Sequence, residues 1–270
     1  MPVRFLDPAQ ATAAAAIAAG DPTCVDLYDA ADRLRAGSRH DMLEAAYRAW
    51  VSDVRAGLSS VILTPTCADA TALAARARAE RISLGHVERR GVPLADTTVA
   101  SVGDWVLTQV TDRLLITFKG RDFVKTGDPW TVIDRHPDDS LTVQHQRHRG
   151  RLTLPAQYVR ENLLLAYAVT TDRARALVVD AAHPVLGPGT SRQSAHLAAT
   201  RARAGPTFYL TDDDPGMAGT PPERERARDL LARVVTRTTE AFDQPATPTA
   251  RTPDVLEHLA RGRRAAAARW

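Results

Sequence analysis

Residues 60–82 read SVILTPTCADATALAARARAERI, and this stretch decides the fold. Ser60 to Thr64 is a short β-branched run that predicts a strand, and Ala68 to Ile82 is an Ala- and Arg-rich segment that predicts a helix. A strand that turns straight into a helix is the raw material of a parallel sheet, because parallel neighbours need a crossover between them. Upstream, Pro8 to Ala19 reads as a helix with Asp7 as its N-cap, Pro8 at its first position and Gly20 as its stop. A second helix starts near Asp41, with Met42, Leu43, Ala46, Trp50 and Val54 at helical spacing, and Gly57 closes it.

Downstream, between Val99 and Val159, helical periodicity disappears. Short runs alternate with turn signals such as Thr126-Gly127-Asp128 and Pro137-Asp138-Asp139. Strands are predicted over Trp105–Gln109, Leu114–Phe118, Trp130–Arg135, Leu141–His145 and Arg151–Leu154, spaced as in a small SH3-like antiparallel barrel. The α/β pattern then returns. It comprises a strand over Leu163–Ala168, a short helix over Thr170–Ala176, a strand over Leu177–Ala182, a helix over Ser191–Arg203 and a strand over Thr207–Leu210. Beyond Thr211 the chain turns acidic and Pro-rich, with helices predicted over Glu223–Glu240 and Asp254–Arg269 around a loop from Pro245 to Pro253. Arg261, Arg263, Arg264 and Arg269 of the last helix read as a solvated face.

Composition bounds the function only broadly. With 270 residues, 44% of them hydrophobic, a substantial core is available. The net charge of +3, from 35 basic and 32 acidic residues, does not by itself announce nucleic acid. Cys24 and Cys67 lie far apart and read as free thiols of a reducing cytoplasm, with neither a disulfide framework nor a zinc site. No stretch is apolar enough to cross a bilayer, and the Ala11–Ala19 run lacks a basic leader, so a cytoplasmic protein with no membrane partner is expected.

Local motifs carry more. LAYAVTTDRARALVVD, residues 165–180, resembles the late motor motif of the superfamily 1 helicases attached to conjugative relaxases, in which a Tyr-Ala strand runs into a polar loop. Thr170 matches that loop, whereas Asp172, Arg175 and Ala176 stand where the family has His, Gln and Gly. Leu197–Arg203 resembles the final motif, in which a Thr-Arg pair on a helix points an arginine at the terminal phosphate, and Arg201 is the match. Val61–Thr64 followed by Leu73–Arg78 resembles the fourth motif, with Ala74 at its Asn position. Gly103–Val106 and Val124–Asp128 resemble turns of the family's barrel insert, and Val3–Pro8 resembles the segment after its first lobe.

The resemblance implies an α/β fold: a second, RecA-like motor lobe (2A) interrupted by an SH3-like barrel (2B), with a helical C-terminal extension. The lobe would occupy residues 1–98 and 160–211, the barrel 99–159 and the extension 212–270. It further implies that the chain begins where the family's first lobe ends. No G-x-x-x-x-G-K-[ST] phosphate loop occurs, and the nearest segment, Lys119 to Thr126, has Lys119 and Val124 at the glycine positions. The expectation is a non-catalytic, helicase-derived module without a cofactor, ATP and magnesium entering only if another chain supplies a first lobe.

Its partner would be single-stranded DNA, with Thr64, Arg76, Thr170 and Lys125 as contacts and Arg201 as an idle finger. The alternatives are a lobe that docks on a helicase or relaxase partner and supplies Arg201 in trans, and a functionless remnant. Arg113, Lys119, Arg121 and Lys125 form a basic edge suited to a phosphate backbone, with Trp105 and Trp130 more at home in a barrel core than under a base. His145-x-x-His148 reads as part of that edge and not as a metal site. Ser191 and His196 lack the acid and the elbow of a hydrolase.

Overall fold

A computed structural model describes residues 5–117, 120–212 and 222–237. Helix α1 spans Pro8–Ala19: the Asp7 carboxylate accepts from the Ala9 N–H at 2.9 Å, and Gly20 closes the helix at φ +77°. Next come α2 (Thr23–Ala30), strand β1 (Leu34–Gly37), α3 (Arg39–Arg55), β2 (Ser60–Thr64) and α4 (Cys67–Ser83). Hydroxyls cap both long helices, Ser38 accepting from the Asp41 N–H and Thr66 from the Asp69 N–H.

The middle of the chain is built of short strands: β3 (Val92–Pro93), β4 (Val99–Ala100), β5 (Trp105–Thr108), β6 (Asp112–Thr117), β7 (Asp122–Val124), β8 (Pro129–Arg135), β9 (Leu141–His145) and β10 (Arg151–Leu154). After α5 (Ala156–Asn162) come β11 (Leu163–Leu165), β12 (Ala168–Thr170), β13 (Ala181–Leu186), α6 (Arg192–Ala199), β14 (Phe208–Thr211) and α7 (Glu223–Thr236).

The fold is α/β. Strands β1, β14, β13, β2 and β12, in that order, form a parallel sheet. Side chains alternate across it: Ile62, Val185 and Tyr209 pack with α3 and α4, whereas Leu186, Phe208 and Leu210 pack with α1, α2, α6 and α7. With both faces covered, β2 is buried at every position, and this is why its centre, Val61 to Leu63, is apolar without alternation. Strands β10, β9, β8, β5 and β11 form an antiparallel sheet inserted between α4 and β12, and its Val106, Trp130, Val132 and Leu141 share one core with Trp50 and Tyr167.

A buried polar knot joins the two sheets. Asp104, fully buried before β5, accepts from Tyr167 Oη at 2.7 Å, Arg78 Nε at 2.8 Å and the Ser101 N–H at 2.7 Å. Arg78, on α4, also donates to Ser101 Oγ at 2.6 Å and to the Glu88 carbonyl at 2.9 Å. Gly103 makes the approach possible. At φ +92°, a Cβ there would stand 2.1 Å from the His86 carbonyl oxygen.

Several elements depart from the sequence reading. The apolar run Leu163–Ala168 is not one strand: β11 pairs with β5 in the antiparallel sheet, and β12 starts at Ala168 and pairs with β2 in the parallel one. The helix expected over Thr170–Ala176 is a single 3-10 turn, Thr171–Ala174. The strand expected over Leu177–Ala182 is β13, shifted to Ala181–Leu186, and the helix expected over Ser191–Arg203 ends at Ala199 with Thr200 as its cap. Helices α2 and α5 and strands β1, β3, β4 and β7 are not anticipated by the sequence. The loop Pro245–Pro253 and the helix Asp254–Arg269 lie outside the described residues. Among the described residues, no helix is long and apolar enough to cross a membrane.

Candidate functional site

From the carboxyl end of β2 the chain enters α4 and returns at β12 on one side; from that of β13 it enters α6 and returns at β14 on the other. Between β2 and β13 the winding direction therefore reverses, and a crevice must open there outside the strand ends. The crevice is present, with a volume of about 380 Å³. Thr64 and Pro65 from β2, Thr170 to Asp172 from β12, and Gly187, Gly189, Thr190, Ser191 and Ser194 from the turn into α6 line it.

Strand pairing places Thr64 and Thr170 side by side as register partners. Thr64 is buried and its hydroxyl donates to the Thr66 carbonyl at 3.0 Å; Thr170 is half-buried. The opposite wall is the start of α6, where Ser191 Oγ accepts from the Ser194 N–H at 3.1 Å. Gly187 and Gly189 leave this wall low, since a Cβ on Gly189 would meet nothing within 4 Å. The polar part of the lining is thus hydroxyls and main chain beside the apolar Pro65, Val185 and Leu186, with a single carboxylate, Asp172, lying 3.4 Å from Arg175. Hydroxyls and the N–H groups of a helix start suit an anion with several acceptor oxygens.

The other residues singled out in the sequence lie elsewhere. Arg201 is 8% exposed and sits just past the end of α6. Its Nε donates to the Leu197 carbonyl at 3.0 Å, and its remaining nitrogens donate to the carbonyls of Ala174, Arg175 and Leu177 and to Thr200 Oγ1. Burial lowers its pKa from the usual arginine value. The guanidinium thus pins the turn after β12 and is not presented to solvent, as a finger has to be. The shorter helix is the reason: past Ala199 the main chain turns Arg201 inward.

Arg76 lies on the outer face of α4, paired with Glu44 and stacked 3.8 Å over the Tyr47 ring. Lys125 pairs with Asp122 and lies 5.1 Å from the Phe123 ring. Neither lines the crevice. Trp130 is fully buried, and Trp105 is half-buried beneath the Arg81 guanidinium. His145 and His148 stack on each other at 3.8 Å, edge-on to Trp130, and burial lowers the His148 pKa. No group of three metal-ligating side chains occurs among the described residues. The sequence reading missed the wall formed by the turn into α6, although Gly187-Pro-Gly-Thr-Ser191, glycines between an apolar strand and a helix start, is a legible signal for it.

No family model matches the chain. Two curated relatives, uncharacterized proteins of Mycobacterium tuberculosis strains CDC 1551 / Oshkosh and ATCC 25618 / H37Rv, are 29% identical over 96 residues, 35% of this chain and 55% of theirs. The chain thus spans about half the length of the curated relatives it matches. Among solved structures it is similar to the Pif1 helicase from Bacteroides in complex with ADP-AlF3 and ssDNA (TM-score 0.44, 14% identity, 79% of this chain and 51% of that one). It is also similar to the Pif1 helicase from Candida albicans (TM-score 0.36, 12% identity, 69% and 53%). Overlaps of this depth and identity assign no activity.

Proposed function

We propose that the chain is a helicase-derived module, related to the motor region of conjugative relaxases, that binds single-stranded DNA by its phosphates and does not hydrolyse ATP alone. The observation that supports it is the crevice at the sheet's carboxyl edge, where the register pair Thr64 and Thr170 faces the start of α6 and the polar groups of the lining are hydroxyls and main chain. A phosphodiester presents two free oxygens, which a threonine hydroxyl and a helix N–H can each bond without regard to base. In this reading the antiparallel sheet is the counterpart of the family's SH3-like insert. ATP and magnesium have no place in the module itself, since its 270 residues contain no glycine loop ending in Lys-Ser or Lys-Thr.

Docking on a separate first lobe with Arg201 supplied in trans is the weaker reading, because that guanidinium would first have to leave its carbonyls. The test is fluorescence anisotropy of a labelled single-stranded oligonucleotide at two salt concentrations, with and without Mg-ATP. Binding in the micromolar range that weakens steeply with salt and ignores ATP is expected. Thr64→Val with Thr170→Val is expected to weaken it about tenfold or more, as the Thr170 hydrogen bond to a charged oxygen is lost and the Thr66 carbonyl beside it loses its donor. Undetectable or salt-independent binding overturns the reading.

A further inference from the structure

The crevice does not end at β13. Leu186 and Gly187 also form a wall of a second, smaller cavity, about 160 Å³, that continues along the carboxyl edge over β14 to α7. Leu210, Leu230 and Val234 form its apolar floor. Its rim carries Arg233 and Arg237, with Asp212 as the single acidic group.

Arg233 and Arg237 stand four residues apart, one helical turn, on the side of α7 that faces the strand ends, and both are exposed. Arg237 NH1 donates to the Pro188 carbonyl, in the turn that forms the α6 wall of the first crevice. The same helix carries Arg224 and Arg228 on its other side, both taken by Asp29 of α2. The helix is thus anchored by one pair of arginines and presents the other to the edge.

The first crevice supplies hydroxyls and N–H groups but no cation of its own beside Asp172, whereas its continuation supplies two guanidiniums against one carboxylate. An extended polyanion lying along the sheet edge would meet both. We propose that the strand held at Thr64 and Thr170 runs on over β13 and β14, and that Arg233 and Arg237 bind its next phosphates. The inference rests on the DNA-binding reading above and adds the direction of the strand and its charged anchors. A guanidinium fork matches two oxygens of one phosphate, and two forks a helical turn apart hold successive phosphates.

The experiment measures affinity of the full chain for a labelled oligothymidylate across a salt series. It uses wild type, Arg233→Gln/Arg237→Gln, Arg224→Gln and the Thr64→Val/Thr170→Val pair. Each single-strand phosphate contact contributes about 0.7 to the slope of log affinity against log salt, so the double arginine variant is expected to be shallower by about 1.4. Its loss of affinity should be larger at low salt than at high salt. Arg224→Gln removes one charge from the same helix away from the edge and is expected to leave the slope unchanged. An unaltered slope in the double variant, with binding still weakened by the threonine substitutions, overturns the proposed path and leaves the crevice reading standing. Equal changes in slope per charge removed for Arg224→Gln and the double variant also overturn it, since net charge would then be the cause. Absence of salt-dependent binding by the wild type overturns both.

Discussion

Asp104→Ala removes the acceptor at the centre of the knot that joins the two sheets. The carboxylate is fully buried and receives Tyr167 Oη, Arg78 Nε and the Ser101 N–H, all within 2.8 Å. Its loss leaves an arginine side chain only 11% exposed without its counter-charge, and a tyrosine hydroxyl in a fully buried ring without its acceptor. Removing one partner of a buried pair costs about 3–5 kcal/mol. Tyr167→Phe loses one bond to a charged acceptor and leaves the Trp105 N–H unpaired, which is expected to cost about 1.5–3 kcal/mol. Because both substitutions break the same bond, the double variant is expected to fall short of additivity by about 1 kcal/mol or more. Urea unfolding followed by tryptophan fluorescence reads all three, at constant m-value. A cost below about 1 kcal/mol for Asp104→Ala, or strict additivity, would refute the argument, because a buried, satisfied carboxylate cannot be removed so cheaply.

Two further outcomes follow from burial. Cys67 is exposed while Cys24 is fully buried, its thiol pushed up to about 11 by burial and then by Asp21, so a thiol reagent at neutral pH is expected to titrate one cysteine in the folded protein and both in denaturant. Two fast thiols in the native state would refute that placement. Burial, and then the neighbouring His145, lower the His148 pKa from 6.5, and burial lowers that of His196 too, so the unfolded chain binds more protons than the folded one below that value. Their contribution is complete above pH 6.5 and is lost as pH falls from there through the lowered values. Carboxylates held low by arginines, Asp29 by Arg224 and Glu44 by Arg76, lose theirs only at more acidic pH, as it falls from 3.8 and 4.5 respectively. Thermal melts from pH 8 to pH 3 should show both steps, and His148→Gln should diminish the upper one alone.

Helix α1 and strand β2 are legible to the residue because capping and burial agree there: Asp7, Pro8 and Gly20 mark one, and five buried positions mark the other. The run from Leu163 to Ala168 was not, because β11 and β12 are both almost wholly buried and periodicity cannot show that the chain changes sheets at Tyr167. Strand β13 begins four residues later than the apolar run from Leu177 predicts, and it continues through His183 and Pro184. His183 is kept in the sheet by Asp53 at 2.7 Å, a contact from α3 that no local pattern announces. Helix α2 and strand β1 were hidden by their charges: Asp26, Asp29, Arg33 and Arg35 make the segment look like a loop until α7 brings Arg224 and Arg228 to its acids. Of the site, the threonine pair was legible through resemblance alone. Arg201 reads as a helix residue because sequence shows a Thr-Arg pair but not the carbonyls waiting for it.

The order of strands across the parallel sheet also sets a timetable for the nascent chain. Strand β1, made early, has β14, the last strand of the sheet, as its one strand partner among the described residues, so Leu34 waits for Phe208. Its other edge is met by Glu223 of α7, which accepts from the Ala36 N–H at 3.3 Å and is made later still. Until then the ribosome carries an unpaired strand beside a growing antiparallel sheet whose own partners are close in sequence. Local pairing is fast and distant pairing slow, so β5, β8, β9 and β10 assemble while β1 is still exposed to other chains. Expression at lower temperature or with slower translation should therefore matter more for this protein than its modest size suggests.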